Sequence, residues 1–190
     1  MNLPNYFLAD LPPEATLTAA TITEACQTLK RNREVYLAGR STAGLVRLLS
    51  ETAENWLQPE YPFRQFALKD GPKATGFSEA TLTAGLDAFF KQLTGENFQA
   101  LLLQDLGHEQ RLDSPNATLV EQKKQRAAMV CGPEFIAHVT AGCIPNPVFT
   151  SIALGVLLRS AQFVKCATGT SFLPRLYAHS LYDADPKLGA

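Results

Sequence analysis

Two stretches of the chain carry the same helical stripe of apolar and small positions. Over 42–57 the set is Leu45, Leu48, Leu49, Thr52, Ala53 and Trp56; over 78–93 it is Leu82, Gly85, Leu86, Phe89, Phe90 and Leu93. Both follow i, i+3, i+4, i+7, i+8, i+11, the pattern of a helix packed along one side. Ser78 is placed to cap the second helix, with Glu79 in its first turn. A shorter helix is predicted at about 96–106 (Phe98, Leu101, Leu102, Leu106), stopped by Gly107, and another near 15–30 (Ile22, Ala25, Cys26, Leu29). The segment 61–71, YPFRQFALKDG, reads as a strand or an extended connection.

After about residue 126 the period changes. EFIAHVT (134–140) is short, apolar and β-branched at Ile136, Val139 and Thr140, without clean alternation, as expected of a strand covered on both faces. A turn, AGCIP (141–145), leads to Asn146 and Pro147, an N-cap and N1 pair for a helix of about 147–161. A second strand, QFVKC (162–166), the turn ATGT and a helix of about 171–183 complete the chain. Strand, helix, strand, helix with short links is the opening of a parallel, doubly wound sheet. The fold class expected is therefore α/β, with a helical region over 1–126 and a partial dinucleotide-binding domain over 127–190. Two parallel strands do not close a core, so the second part reads as cut short.

Composition narrows the function. The 190 residues are 46% hydrophobic and only 18% charged, against roughly 25% charged in an average soluble domain, which excludes a disordered tail. Seventeen Lys+Arg against eighteen Asp+Glu give a net charge of −1, so no positive field exists to collect nucleic acid. Residues 132–170 hold three charges, Glu134, Arg159 and Lys165. The unbroken apolar run 148–158 is too short to span a bilayer. The amino terminus shows no secretory leader pattern, and no two of Cys26, Cys131, Cys143 and Cys166 have CxxC spacing. Reduced thiols, a cytoplasmic location and no structural zinc are the expectations. Neither a P-loop, a G-x-G-x-x-G run nor a G-x-S-x-G elbow occurs.

Ligands of open α/β sheets bind beyond the carboxyl ends of the strands. That directs attention to AGCIPN after the first strand and KCATGT after the second. The helix start at Asn146–Pro147 offers N–H groups to an anion, although an ordinary capped turn reads the same way. Lys165 is the only charge between 160 and 174, suited to a phosphate or ribose hydroxyl, or to snorkelling at a strand end. Cys143 lies in the first turn, with His138 five residues earlier on the strand; a filler thiol is favoured over a nucleophile. Cys26, Cys131 and Cys166 read as buried or neutral positions, and His108 and His179 as helix-end or surface residues.

The stretch 132–181, GPEFIAHVTAGCIPNPVFTSIALGVLLRSAQFVKCATGTSFLPRLYAHSL, resembles the acyl-CoA reductases of the bacterial luminescence type, a distant branch of the aldehyde dehydrogenase superfamily. The runs HVTAG…IP and GVLLRSAQFVK carry the resemblance most specifically, and YPFRQFAL and ATGFSEATLTAGLDAFF are similar to the family's amino-terminal region. The resemblance implies an incomplete Rossmann-like, aldehyde dehydrogenase-like fold and NADPH-dependent reduction of a fatty acyl-CoA to an aldehyde through a cysteine thioester. Lys165 then resembles the superfamily lysine that holds the adenosine ribose. Thr168 falls where an acidic ribose ligand is common; a neutral residue there favours NADP. Ile144 and Pro145 join them as cofactor-binding positions. The family's turn reads AGN, its amide serving the oxyanion; here Cys143 stands at that position, and a thiol is a weak donor. The thioester-forming cysteine of the family is expected beyond residue 190, so this chain alone is expected to be inactive. Possible partners are further copies of the chain or acyl-transferring subunits. The alternative reading is a non-catalytic nucleotide- or subunit-binding module.

Overall fold

A computed structural model describes residues 3–12, 14–140 and 146–189. The amino-terminal helices begin where side chains replace missing backbone partners. Thr18 accepts from the Thr21 amide (3.1 Å) to open α1 (Ala19–Asn32), which runs into a π-turn at Arg33–Leu37. Ser41 accepts from Gly44 (3.2 Å) to open α2 (Thr42–Leu57). Segment 61–71 is neither strand nor extended: α3 is a helix, Pro62–Thr75, with a proline in its first turn. Its inward positions, Phe63, Ala67 and Gly71, lie four residues apart. Gly71 permits the approach of the next helix, because a Cβ there would lie 2.7 Å from Leu82 Cδ1. Ser78 caps α4 (Glu79–Phe90) through the Thr81 amide, as the sequence predicts. Thr94 caps α5 (Gly95–Leu106), which ends at Gly107 in the left-handed region, φ 73°. A short α6 (Leu119–Lys123) carries a reciprocal Thr118–Glu121 capping box.

The second part contains β1 (Phe135–Val139), α7 (Asn146–Leu157), β2 (Ala161–Lys165), α8 (Phe172–Ala184) and α9 (Pro186–Gly189). Among the described residues the sheet has these two strands, parallel, with Phe135 opposite Ala161 and Val139 opposite Lys165. Alternation along the strands separates two faces. Gln162 donates through its amide nitrogen to the Ile152 carbonyl of α7 (3.1 Å) and accepts through its amide oxygen from His138 Nε2 (3.0 Å), so Ile136, His138, Gln162 and Val164 face α7. On the opposite face, Lys30 of α1 lies 5.9 Å from the Phe135 ring centre and pairs with Glu134 at 3.4 Å. The expectation of a strand covered on both faces fails here. Ala137 is exposed and Val139 is 78% exposed, whereas the contacts of α1 named above lie at Glu134 and Phe135, where β1 begins.

One aromatic core joins the helices of both parts. Trp56 of α2 stacks on Phe90 of α4 (4.9 Å, 12°), Phe90 lies 6.0 Å from Phe149 of α7, and Phe149 meets Tyr177 of α8 at 5.1 Å. All four are essentially inaccessible. Burying rings of this size supplies much of the favourable free energy of folding. Polar ties accompany them. Trp56 Nε1 donates to Ser180 Oγ (2.8 Å); buried Arg64 donates to the Trp56 carbonyl (2.9 Å) and pairs with Asp87 at 2.8 Å.

The turn from α7 into β2 is built on Arg159, a buried residue at φ 56°. Its guanidinium donates to the Arg40 carbonyl (2.6 Å), the Leu112 carbonyl (2.9 Å), Thr42 Oγ1 (3.1 Å) and the Asp113 carboxylate. Arg33 Nε in turn donates to the Arg159 carbonyl (2.6 Å). Asp113 also accepts from the Thr42 amide and hydroxyl, at 2.9 and 2.8 Å. This network fixes where β2 starts relative to α2.

Candidate functional site

The carboxyl ends of β1 and β2 lie side by side, the arrangement in which open sheets receive ligands. Thr140 closes them together: its amide donates to the Lys165 carbonyl at 3.0 Å and its hydroxyl to the same oxygen at 3.3 Å. The chain then passes through Cys166 and Ala167 into a tight turn. Thr170 donates to the Ala167 carbonyl from both its amide (3.0 Å) and its hydroxyl (2.9 Å), and Gly169 sits at φ 77°. Two residues later α8 begins, with no side chain capping its first turn.

Lys165 and Thr168, both singled out from the sequence, are exposed on this crest. The Lys165 ammonium makes no hydrogen bond or ion pair with the described residues, as holds also for the exposed Lys69, Lys73, Lys123 and Lys124; what sets Lys165 apart is its place at the carboxyl end of β2. The expectation of Lys165 at the end of a buried strand is corrected, since its end of the strand is open to solvent. Cys143, Ile144 and Pro145 lie outside the described residues. Asn146 does not stand before its helix as an N-cap. It occupies the first turn of α7, and its amide lies 3.4 Å from the Gly85 carbonyl of α4.

The thiols and imidazoles fall differently from expectation in two places. Cys131 is exposed rather than buried, and Cys26, Cys131 and Cys166 are all free. Burial pushes the Cys166 thiol up, against a Thr140 hydrogen bond and the Lys165 charge, which act in the opposite direction. A thiol held in its neutral form is a poor nucleophile at neutral pH. His138 is occupied by Gln162. His179, expected at a surface or helix end, is 2% exposed and lies 2.9 Å from the Asp10 carboxylate. Sequence spacing gave no signal for that pair, which is separated by 169 positions. Among the described residues, no three His, Cys, Asp or Glu side chains group as metal ligands. No helix of the described residues is long and apolar enough to cross a membrane.

The crest therefore offers one cation without a partner among the described residues, three hydroxyl-bearing residues, Thr140, Thr168 and Thr170, and an exposed turn at the start of a helix. That chemistry suits a phosphorylated ligand, held by charge and by hydrogen bonds. A family model described as acyl-CoA reductase (LuxC) matches residues 37–189, from the end of the π-turn through α9. No curated protein matches the chain.

Proposed function

The chain belongs to the LuxC acyl-CoA reductase family, and from that premise we propose that its strand crest binds the adenosine-phosphate part of NADPH. The observation that carries the reading is the exposed Lys165, whose ammonium has no partner among the described residues, at the strand end that leads into the turn of the neutral, exposed Thr168. A carboxylate at position 168 would repel a 2′-phosphate; a threonine does not, and its hydroxyl can donate. When bound, NADPH supplies hydride for reduction of an acyl thioester to an aldehyde. The residues of this chain hold and orient the nucleotide: Lys165 by charge, Thr168 by a hydroxyl, and the Thr140–Lys165 hydrogen bonds by fixing the two strand ends. The Rossmann-like, aldehyde dehydrogenase-like sheet, the domain boundary near 126 and the roles of Ile144 and Pro145 belong to the same proposal.

The acyl-accepting nucleophile is a separate matter. Cys166 is disfavoured as a thiolate by burial, and the oxyanion-loop position holds Cys143, a weak donor where an amide is suited. We therefore expect nucleotide binding without turnover from these 190 residues. This leaves room for the second reading, a non-catalytic nucleotide- or subunit-binding module, which the same observation on Cys166 favours. A cytoplasmic setting accords with three free thiols.

The test is calorimetric titration with NADPH and NADH, together with an assay of acyl-CoA-dependent NADPH consumption. A single charge-assisted contact at an exposed lysine contributes about 1 kcal/mol after solvent screening. Lys165→Ala should therefore weaken NADPH about fivefold and reduce the preference over NADH. Equal affinity for the two nucleotides, or no loss in the alanine variant, removes Lys165 and Thr168 from the site. Acyl-CoA-dependent consumption above a heat-killed control overturns the expectation of no turnover.

A further inference from the structure

Residues 3–12 precede the family match, yet they are tied to the helix that follows the candidate site. The Asp10 side chain is 1% exposed. One carboxylate oxygen accepts from the Tyr6 amide (3.0 Å) and the Phe7 amide (2.7 Å); the other accepts from Arg175 Nε and lies 2.9 Å from His179 Nε2. Around this acid the Tyr6 ring stacks on Tyr182 at 4.1 Å, and Phe7 meets the His179 ring edge-on at 4.8 Å. The amino-terminal segment is thus a strap laid along α8.

The place where it grips matters. Arg175 is in the first turn of α8, its amide bonded to the Ser171 carbonyl at 2.9 Å. The turn carrying Thr168 and Gly169 closes at Thr170, the residue before Ser171. We propose that Asp10 is a positioning residue for the nucleotide site: by holding Arg175 and His179, it fixes the start of α8 and, through it, the turn that presents Thr168 beside Lys165. The inference rests on the NADPH reading of that crest. Apolar contact alone would keep the helix in place. Arg175 and His179, both on α8 and converging on one carboxylate oxygen, also fix its direction and rotation, because each hydrogen bond is directional, while the Tyr6 and Phe7 amides hold the other oxygen in place. A helix start held this way presents its preceding turn in one arrangement, so nucleotide binding has less ordering to do.

The experiment compares wild type, Asp10→Asn, Tyr6→Ala and Asp10→Asn/Lys165→Ala, all as the full 190-residue chain, at a temperature where circular dichroism shows each folded. Asp10→Asn keeps the shape of the side chain and removes its charge. Amide hydrogen exchange at Thr170 and Arg175 should accelerate about tenfold in Asp10→Asn while the amides of α2 stay unchanged. Tyr6→Ala should give a smaller change of the same pattern. NADPH should bind about threefold more weakly to Asp10→Asn, and the double variant should lose less than the product of the single losses, since both act on one site. Unchanged exchange at Thr170 and Arg175 overturns the proposal, as does acceleration shared equally with α2, which marks general destabilisation. Wild type that binds no NADPH refutes the nucleotide reading. The clamp itself is then decided by exchange alone, supported by selective acceleration and overturned without it.

Discussion

Replacing Arg159 by methionine isolates the network at the start of β2. Methionine fills much of the same volume and meets the same left-handed backbone at φ 56°, so backbone strain cancels between the two chains. What disappears is four hydrogen bonds, to the Arg40 and Leu112 carbonyls, Thr42 Oγ1 and the Asp113 carboxylate. Breaking a buried ion pair by removing one partner costs about 3–5 kcal/mol, much of it the penalty of the charge left behind. Asp113 is 30% exposed and keeps both contacts with Thr42, so water and those donors relieve part of its penalty. The orphaned Arg40 and Leu112 carbonyls add their own desolvation. The expected loss is about 3 kcal/mol. Urea unfolding is the assay: with a slope of about 2 kcal/mol per molar, the midpoint should fall by about 1.5 M at constant slope. Asp113→Ala in the same chain should lose less than the sum of the single effects, because the stranded carboxylate is gone. A loss under about 1 kcal/mol for Arg159→Met would refute the reasoning and show that water already serves these groups.

Tyr177→Phe should be neutral or more stable by up to about 1–2 kcal/mol in the same assay, since the buried Tyr177 hydroxyl has no hydrogen-bond partner among the described residues; a loss above about 1 kcal/mol would show that the hydroxyl is satisfied. Acid stability should depend on Asp10. Burial raises its carboxyl, but the His179, Phe7 and Arg175 partners outweigh burial and hold it below the ordinary aspartate range. A depressed folded value stabilises above the unfolded one and is lost as pH falls through the folded one. Stability of wild type relative to Asp10→Asn should therefore fall as pH drops below about 4, and parallel curves for the two chains would refute the assignment. Finally, the exposed end of β1 at Val139 should promote association between copies. Sedimentation should show species larger than a monomer, and Val139→Lys should shift them towards monomer; a clean wild-type monomer would contradict this.

The legible elements were those whose signal is local. α2 announced itself through an uninterrupted stripe, α4 through its stripe and Ser78 before its first turn, and α5 through its stripe and Gly107. The strand–helix–strand order of 135–165 also followed from short apolar runs and turn residues. α3 did not, because Gly71 and Pro72 interrupt its pattern; the glycine is there for Leu82, a neighbour in space that the segment itself does not reveal. The exposed end of β1 was misjudged for a related reason. Apolar residues read as covered, while the extent of α1 along the sheet is a tertiary matter. At the site, Lys165 stood out as a lone charge in an apolar stretch. The Asp10–Arg175–His179 cluster had no such contrast and is assembled only by folding.

The single tryptophan has a consequence for how this molecule reports on itself. Trp56 sits against Phe90 and donates to Ser180, at the junction of the helices α2, α4 and α8. Its emission therefore follows the opening of the helical core and says nothing directly about the strands. Far-ultraviolet dichroism sees the whole backbone. If the crest and its two strands loosen before the core, the two signals will separate on the denaturant axis, and their coincidence would mean that one cooperative transition carries both.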